Sequence, residues 1–259
     1  MSLVKDTLKA AMLDIALHGF DPTNRAKDWQ YWLLYALLKS TPKPKTKDKI
    51  TNTFVKETQY TKLKKNHKYL KEAELNRISY KFRDELANRI KIAEDIIDLH
   101  VKSAHGDIIR RFIGWASSIP SKGTDGDILD KRKVEANILK PESDLKRKET
   151  LVIEDQKRKM MTNINDTVAK DTGAIGATWY SNFRVPGYKF RPEHKERDIS
   201  GKVFIIADNW AEKEGLLAKY EKETEPGEEP NCKCHYKKYI YKLNELPPEM
   251  LTKKGLELI

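Results

Sequence analysis

The sequence predicts an α+β protein with a long-helix N-terminal half and a small α+β C-terminal domain. Apolar residues recur at steps of three and four between residues 75 and 115, which is the period of an α-helix. After residue 172 the pattern changes to short β-branched and aromatic runs separated by turn residues. We therefore divide the chain into residues 1–149 (helices and a basic linker), residues 150–246 (the α+β domain) and a tail of residues 247–259.

Two shorter helices are predicted ahead of the long one. Residues 2–18 carry apolar side chains at helical spacing and end before Gly19, a favourable residue just past a helix C-terminus. Asp21-Pro22-Thr23-Asn24 opens a second helix that is apolar on most sides, which is typical of a helix buried against a partner. The stretch Ser40–Lys45 contains two prolines and predicts a stiff, charged linker.

One long helix is predicted from about residue 72 to residue 117. Its average step of about 3.6 residues favours a straight helix in a bundle over a left-handed coiled coil, whose seam repeats every ~3.5 residues. Because the apolar stripe is one-sided, we expect the helix to pack along another helix or another subunit. The stripe consists of Leu75, Ile78, Phe82, Leu86, Ile90, Ala93, Ile97, Val101, Ala104, Ile108, Phe112 and Trp115.

The C-terminal part contains the predicted strands. Residues 128–170 are helical in pattern and very polar. Val203–Ile206 is β-branched and aromatic and predicts a buried strand, whereas Tyr236–Leu243 alternates and predicts a strand with one wetter face. Glu212–Tyr220 predicts a short helix between them.

The net charge of +11 is concentrated in one segment, because residues 39–71 hold eleven lysines against two acidic residues. Lysine suits nonspecific contact with phosphates or with an acidic partner. Two interpretations stay open: a solvated face that keeps the chain soluble, or contact with packaged DNA or an acidic protein surface. The candidate contact residues are Lys43, Lys45, Lys47, Lys49, Lys62, Lys64, Lys65 and Lys68.

The composition excludes several classes of protein. Five Trp, seven Phe and eleven Tyr are too many for a fully disordered chain. No apolar run reaches the ~18–20 residues of a membrane span, so we expect no membrane anchor. Charged residues interrupt Met1–Leu17, so we expect no secretory signal. Two cysteines are too few for a disulfide-stapled scaffold.

An ordered set of short elements occupies the C-terminal part: Arg191-Pro192-Glu193-His194, Gly201-Lys202-Val203-Phe204, Pro226-Gly227 and Pro230-Asn231-Cys232-Lys233-Cys234. Over residues about 150–245 the sequence resembles the phage Mu F-like minor head protein family, also called the phage head morphogenesis family. One departure is the lysine at the centre of Cys-Lys-Cys, where the family has arginine. The residues that carry the resemblance are Trp179, Arg191, His194, Gly201, Pro230, Cys232 and Cys234.

The resemblance implies a minor component of a tailed-phage head, made in the bacterial cytoplasm and carried into the capsid interior near the portal. It implies docking on the portal or the major capsid protein, in multiple copies, and a role in head assembly or in DNA packaging and delivery. Two other classes stay open, a nonspecific DNA-binding protein and a metal-dependent nuclease. The sequence contains no Gly-rich phosphate loop, Gly-x-Ser-x-Gly or His-Glu-x-x-His motif, so we predict no enzyme and no catalytic residue.

His194, Cys232 and Cys234 are the candidate metal ligands. Two thiolates and an imidazole are ligand types of zinc, and Cys232-x-Cys234 can chelate one ion, with His235 or Asp198 as a fourth ligand. The competing interpretation is two reduced thiols at the start of a strand, with His194 hydrogen-bonded in a turn. A single short cysteine pair favours this second interpretation. Apart from the candidate zinc ion, the sequence predicts no cofactor.

Overall fold

The computed structural model describes residues 2–40, 43–67, 69–221, 223–230 and 232–259, and these residues form an α+β fold. Among them, no helix combines the length and the hydropathy that crossing a lipid bilayer requires. The helices are α1 (Ser2–His18), α2 (Arg25–Ser40), α3 (Lys43–Glu57), α4 (Tyr60–Leu63), α5 (Glu72–Ile78), α6 (Tyr80–Ala116), α7 (Lys131–Asp171), α8 (Pro192–Ile199), α9 (Trp210–Lys213) and α10 (Lys253–Leu256). The strands are β1 (Gly176–Tyr180), β2 (Val203–Ile205) and β3 (His235–Ile240).

The chain divides into two compact units, each built from two separate stretches. Unit 1 comprises Met1–Asp48 and Glu94–Val152, and unit 2 comprises Lys49–Ala93 and Ile153–Ile259. The predicted boundary near residue 150 therefore falls close to the division inside α7. The predicted domains were contiguous, however, whereas residues 49–93 pack with the C-terminal part of the chain.

Unit 1 is helical, and its core confirms the bundle predicted from the apolar stripe. Gly19 ends α1 with a φ of 82°, and a Cβ there would lie 2.0 Å from the Ser121 carbonyl oxygen, so only glycine fits. The predicted long helix is present as α5 and α6, separated at Ser79. The buried core residues are Val4, Leu8, Ala11, Met12, Ile15, Leu33, Ala36, Leu37, Ile108, Phe112, Ala116, Ile138 and Leu139.

The helix α2 is buried on one side only within this chain. Its buried residues are Ala26, Leu33, Ala36 and Leu37. Its exposed apolar residues are Tyr31, Trp32, Leu34, Tyr35 and Leu38.

The stiff linker predicted for Ser40–Lys45 is wrong, because α3 begins at Lys43. Pro44 is the second residue of that helix. A proline in the first turn removes no intrahelical hydrogen bond, since the first N–H groups of a helix have no partner inside it.

Unit 2 contains a three-stranded antiparallel sheet in the order β2-β1-β3. The two predicted strands are confirmed as β2 and as β3, which begins and ends earlier than Tyr236–Leu243. The central strand β1 and the helix α8 were not predicted. Both carry motif residues, Trp179 on β1 and His194 on α8, so the unpredicted elements hold the candidate site together.

Two further predictions in unit 2 are wrong. The helix predicted for Glu212–Tyr220 is only the four-residue α9, because Gly215 adopts a φ of 68° just after it. Residues 247–259 do not extend from the fold as a tail. Leu251 is buried in a core cluster of unit 2, and the Thr252 N–H donates to the Leu216 carbonyl at 3.0 Å.

Candidate functional site

His194, Cys232 and Cys234 converge on one buried cluster in unit 2. The ligand atoms of the three side chains all lie within 4.8 Å of one another. His194 Nδ1 lies 3.6 Å from the Cys232 Sγ and 3.4 Å from the Cys234 Sγ. The three residues are only 2%, 1% and 3% exposed, and both cysteines are free thiols. The structure therefore brings together the three ligand candidates that the sequence identified.

A short element positions each ligand candidate, and residues next to the ligand in sequence explain why that element forms. Pro192 is the first residue of α8, where its fixed φ suits a helix start, and Gly201 follows the end of α8 with a φ of 64°. His194 thus sits in the first turn of a short helix and not in an isolated turn. The two cysteines lie just before β3, where the Cys232 N–H donates to the Glu229 carbonyl oxygen at 3.1 Å.

The Arg191-x-x-His194 element meets the acidic stretch before the cysteines through Glu229. Arg191 Nε lies 2.6 Å from Glu229 Oε2, and Arg191 Nη2 donates to the Pro230 carbonyl oxygen at 3.2 Å. The other carboxylate oxygen, Glu229 Oε1, lies 3.7 Å from His194 Nε2. Within the described part of the chain, the buried Nε2 has no hydrogen-bond partner. Glu229 therefore faces the imidazole on the side opposite the sulfur atoms.

The two thiols influence each other's ionisation. A hydrogen bond from the Cys234 thiol lowers the pKa of Cys232, and the same bond, together with burial, raises the pKa of Cys234. Two buried donors, the Trp179 indole N–H and the Ser181 hydroxyl, oppose that rise, although neither makes a regular hydrogen bond among the described residues. One thiolate is therefore easier to form here than two in the absence of a cation.

Neither residue predicted as a fourth ligand joins the cluster among the described residues. The Asp198 carboxylate accepts hydrogen bonds from the Ser181 N–H at 3.0 Å and from Arg184 Nη1 at 2.7 Å. His235 is exposed on β3, and its ring lies against Tyr180 with the ring centroids 4.7 Å apart. Side chains alternate between the faces of a strand, so proximity in sequence to Cys234 does not bring His235 to the same site.

A cavity of about 110 Å³ borders the cluster at Cys234. Its lining includes the basic residues Lys157, Arg158 and Lys233 and the polar residue Thr162. This volume exceeds the roughly 10–15 Å³ that a cavity needs to hold one water molecule, so the cavity has room for water beside the cysteine.

Unlike the three buried ligand candidates, the candidate lysines whose side chains the structure describes lie at the surface. The side chains of Lys49, Lys62, Lys64 and Lys65 are exposed. Lys64 Nζ lies 5.2 Å from the centre of the Tyr60 ring, and the Tyr60 hydroxyl raises the pKa of Lys64, which keeps it charged. The side chains of Lys43, Lys45 and Lys47 and the whole of Lys68 lie outside the described residues.

Sequence reasoning missed Glu229, Ser181 and the central role of Trp179. Glu229 was part of an acidic stretch with no feature of its own, and only its contact with Arg191 reveals its role. Trp179 is 1% exposed, and its ring packs on His194 with centroids 5.1 Å apart.

Comparison of the chain with protein-family models, with curated proteins and with solved structures finds no match.

Proposed function

We propose that this chain is a minor structural protein of a tailed-phage head, of the phage Mu F-like type. It would act inside the capsid near the portal, in several copies, and assist head assembly or the packaging and delivery of DNA. The proposal rests on the motif residues between positions 179 and 234. Residues far apart in sequence that share a family pattern lie around one cluster: Trp179, Arg191, His194, Pro230, Cys232 and Cys234.

The proposed role is structural and not catalytic. The alternative of a metal-dependent nuclease needs a site that a phosphodiester can reach, with an open coordination position facing the substrate. The ligand atoms here belong to side chains that are at most 3% exposed. This burial favours a site that holds the domain together over one that binds a polymer.

The composition of purified particles tests the proposal. Heads purified from cells carrying the genome that encodes this chain are expected to contain it, in multiple copies, both before and after DNA packaging. Quantitative mass spectrometry against the portal and capsid proteins gives the copy number. Heads that contain portal and capsid protein but lack this chain, after expression of the chain is confirmed in the same cells, would contradict the proposal.

The exposed lysines favour DNA as an additional contact. Four of the candidate contact lysines present their side chains to solvent, namely Lys49, Lys62, Lys64 and Lys65. If each neutralises one phosphate, the logarithm of the binding constant falls with the logarithm of salt concentration with a slope of about −3.6. A change from 50 to 200 mM salt would then weaken binding on the order of a hundredfold.

Replacing these four lysines with glutamine is expected to remove most of that salt dependence. Titration of double-stranded DNA by fluorescence anisotropy at several salt concentrations measures the slope. A control variant loses the same charge elsewhere, through glutamine at Lys122, Lys131, Lys140 and Lys146, all of which are exposed. Equal slopes for the two variants would contradict the proposal that the basic segment contacts DNA. Because the motif residues are elsewhere, the four-lysine variant should still enter heads.

A further inference from the structure

We propose that His194 Nδ1, Cys232 Sγ and Cys234 Sγ bind one zinc ion, and that Glu229, held by Arg191, fixes the imidazole from its other nitrogen. This inference goes beyond the proposed head function and does not depend on it. It assigns a metal, the ligand atom of the histidine, and a positioning role for two residues outside the ligand set.

The two distances from the imidazole nitrogen to the sulfur atoms are those of a tetrahedral zinc site. With Zn–S ≈ 2.3 Å and Zn–N ≈ 2.0–2.1 Å, a tetrahedral ion separates each nitrogen from each sulfur by about 3.5–3.6 Å. The two distances from His194 Nδ1 are 3.6 Å to Cys232 Sγ and 3.4 Å to Cys234 Sγ. Both nitrogen–sulfur distances therefore lie within a few tenths of an ångström of those that a tetrahedral zinc ion requires.

Hydrogen bonding alone accounts poorly for this arrangement. Two sulfur atoms face the same Nδ1, which has one N–H proton in one tautomer and one lone pair in the other, so it makes one strong hydrogen bond to only one of them. A cation resolves the mismatch, because it takes the nitrogen lone pair and one thiolate lone pair from each cysteine. Thiolate and imidazole ligands together favour zinc over hard cations such as Mg²⁺ or Ca²⁺, which bind oxygen ligands.

The surroundings of the cluster match those of a bound metal. A histidine that ligates a metal through one nitrogen usually donates the other N–H to a carboxylate or carbonyl, which fixes the tautomer and the ring orientation. Glu229 Oε1 lies 3.7 Å from His194 Nε2, and Arg191 Nε holds the same carboxylate at 2.6 Å. The spacing Arg191-x-x-His194 thereby places the arginine that holds Glu229 three residues before the ligand.

The charge and burial of the site identify its role as structural. A Zn²⁺ ion with two thiolates and a neutral imidazole has no net charge, which suits a cluster whose residues are at most 3% exposed. Two buried donors without a regular partner among the described residues, Trp179 Nε1 and Ser181 Oγ, are then available to the thiolates. The described residues offer three ligands, so the fourth coordination position is left to a group that they do not supply.

Metal analysis of the full chain tests the ligand set. The chain, produced in zinc-supplemented medium and purified without chelator, is expected to contain one zinc ion per molecule. The variants Cys232→Ser, Cys234→Ser and His194→Gln are expected to lose it. The control His235→Gln removes the neighbouring histidine of β3 and should keep the full zinc content. A zinc-free chain, or equal zinc in the ligand variants and the wild type, would overturn the proposal.

Cobalt binding by the wild-type chain keeps the test decisive if the variants fail to fold. Titration of zinc-depleted chain with Co²⁺ is expected to produce thiolate-to-cobalt charge-transfer absorption with an endpoint at one equivalent, and one equivalent of zinc should abolish it. No such absorption would overturn the proposal.

Competition with a chromophoric chelator tests Glu229. The Glu229→Ala variant is expected to bind zinc about 10–100-fold more weakly. Glu229→Gln should recover most of this loss, because its amide oxygen can take the position of the carboxylate oxygen that faces Nε2. The control Glu193→Ala removes an exposed carboxylate of α8 and should bind zinc like the wild type. Wild-type affinity in Glu229→Ala would overturn the positioning role.

Discussion

The Trp179→Ala variant is expected to lose about 3–5 kcal/mol of the free energy of unfolding. Trp179 is 1% exposed and lies on the central strand of the sheet. Its ring packs on His194 and on Phe204 with centroid separations of 5.1 and 5.3 Å, and the Arg197 guanidinium lies 5.0 Å from the ring centre. Alanine leaves a cavity at the point where α8, β1 and β2 meet, and it also removes the surface on which the imidazole rests.

Urea denaturation followed by far-ultraviolet circular dichroism measures this loss. The matched control is Trp32→Ala, because Trp32 is 53% exposed on α2 and an exposed substitution is expected to cost less than about 1 kcal/mol. Typical domains are stable by only about 5–15 kcal/mol, so the first variant should unfold at much lower urea concentration. Similar midpoints for the two variants would contradict the central position of Trp179.

The strand that carries Trp179 was not predicted from the sequence, whereas the long helices were. The long helices are predictable, because apolar residues at a period of about 3.6 over many turns leave no other regular structure. The strand β1 was not predicted, since its five residues Gly176–Tyr180 have little β-branched character and no alternation. It is a strand because β2 and β3 pair with it on both sides. The partners, and not the segment, determine the conformation.

The candidate site divides in the same way. The chemistry of His194, Cys232 and Cys234 made them candidate ligands of one metal, because thiolate and imidazole groups are ligand types of zinc, but it left two reduced thiols as the favoured interpretation. Ligand chemistry alone made Asp198 and His235 candidates for a fourth ligand, and it did not identify Glu229 as the group beside the imidazole. Asp198 is held instead by Arg184 and Ser181, and Glu229 is placed beside the imidazole by Arg191. Such assignments depend on contacts between distant segments, which a single sequence does not contain.

His67 makes contacts of this kind between residues 49–93 and the rest of unit 2, and its burial leads to a prediction about pH. The His67 side chain is fully buried, and its ring stacks on Tyr239 with centroids 4.4 Å apart. The Asn165 Oδ1 accepts a hydrogen bond from Nε2 at 3.0 Å, whereas Nδ1 has no partner among the described residues. Burial therefore lowers the pKa of His67 to about 4.

Between pH 7.5 and pH 5.0, the wild-type chain is expected to lose about 2 kcal/mol of its free energy of unfolding because of the titration of His67. The unfolded histidine binds a proton near its ordinary pKa of 6.5, whereas the folded one stays neutral until about pH 4. Between these values the unfolded state holds more protons, so stability is present above the unfolded pKa and falls as the pH is lowered. Burial also lowers the pKa of His105, so this residue adds to the loss in the same direction.

The His67→Phe variant isolates the contribution of His67, because phenylalanine keeps a ring against Tyr239 but does not titrate. Its stability at pH 7.5 is expected to fall by about 1–3 kcal/mol, since Asn165 loses its donor. Its further loss on going to pH 5.0 should nevertheless be about 2 kcal/mol smaller than that of the wild type. Urea titrations at both pH values measure the difference. A pH dependence of His67→Phe equal to that of the wild type would show that His67 is not the buried neutral group on which unit 2 depends.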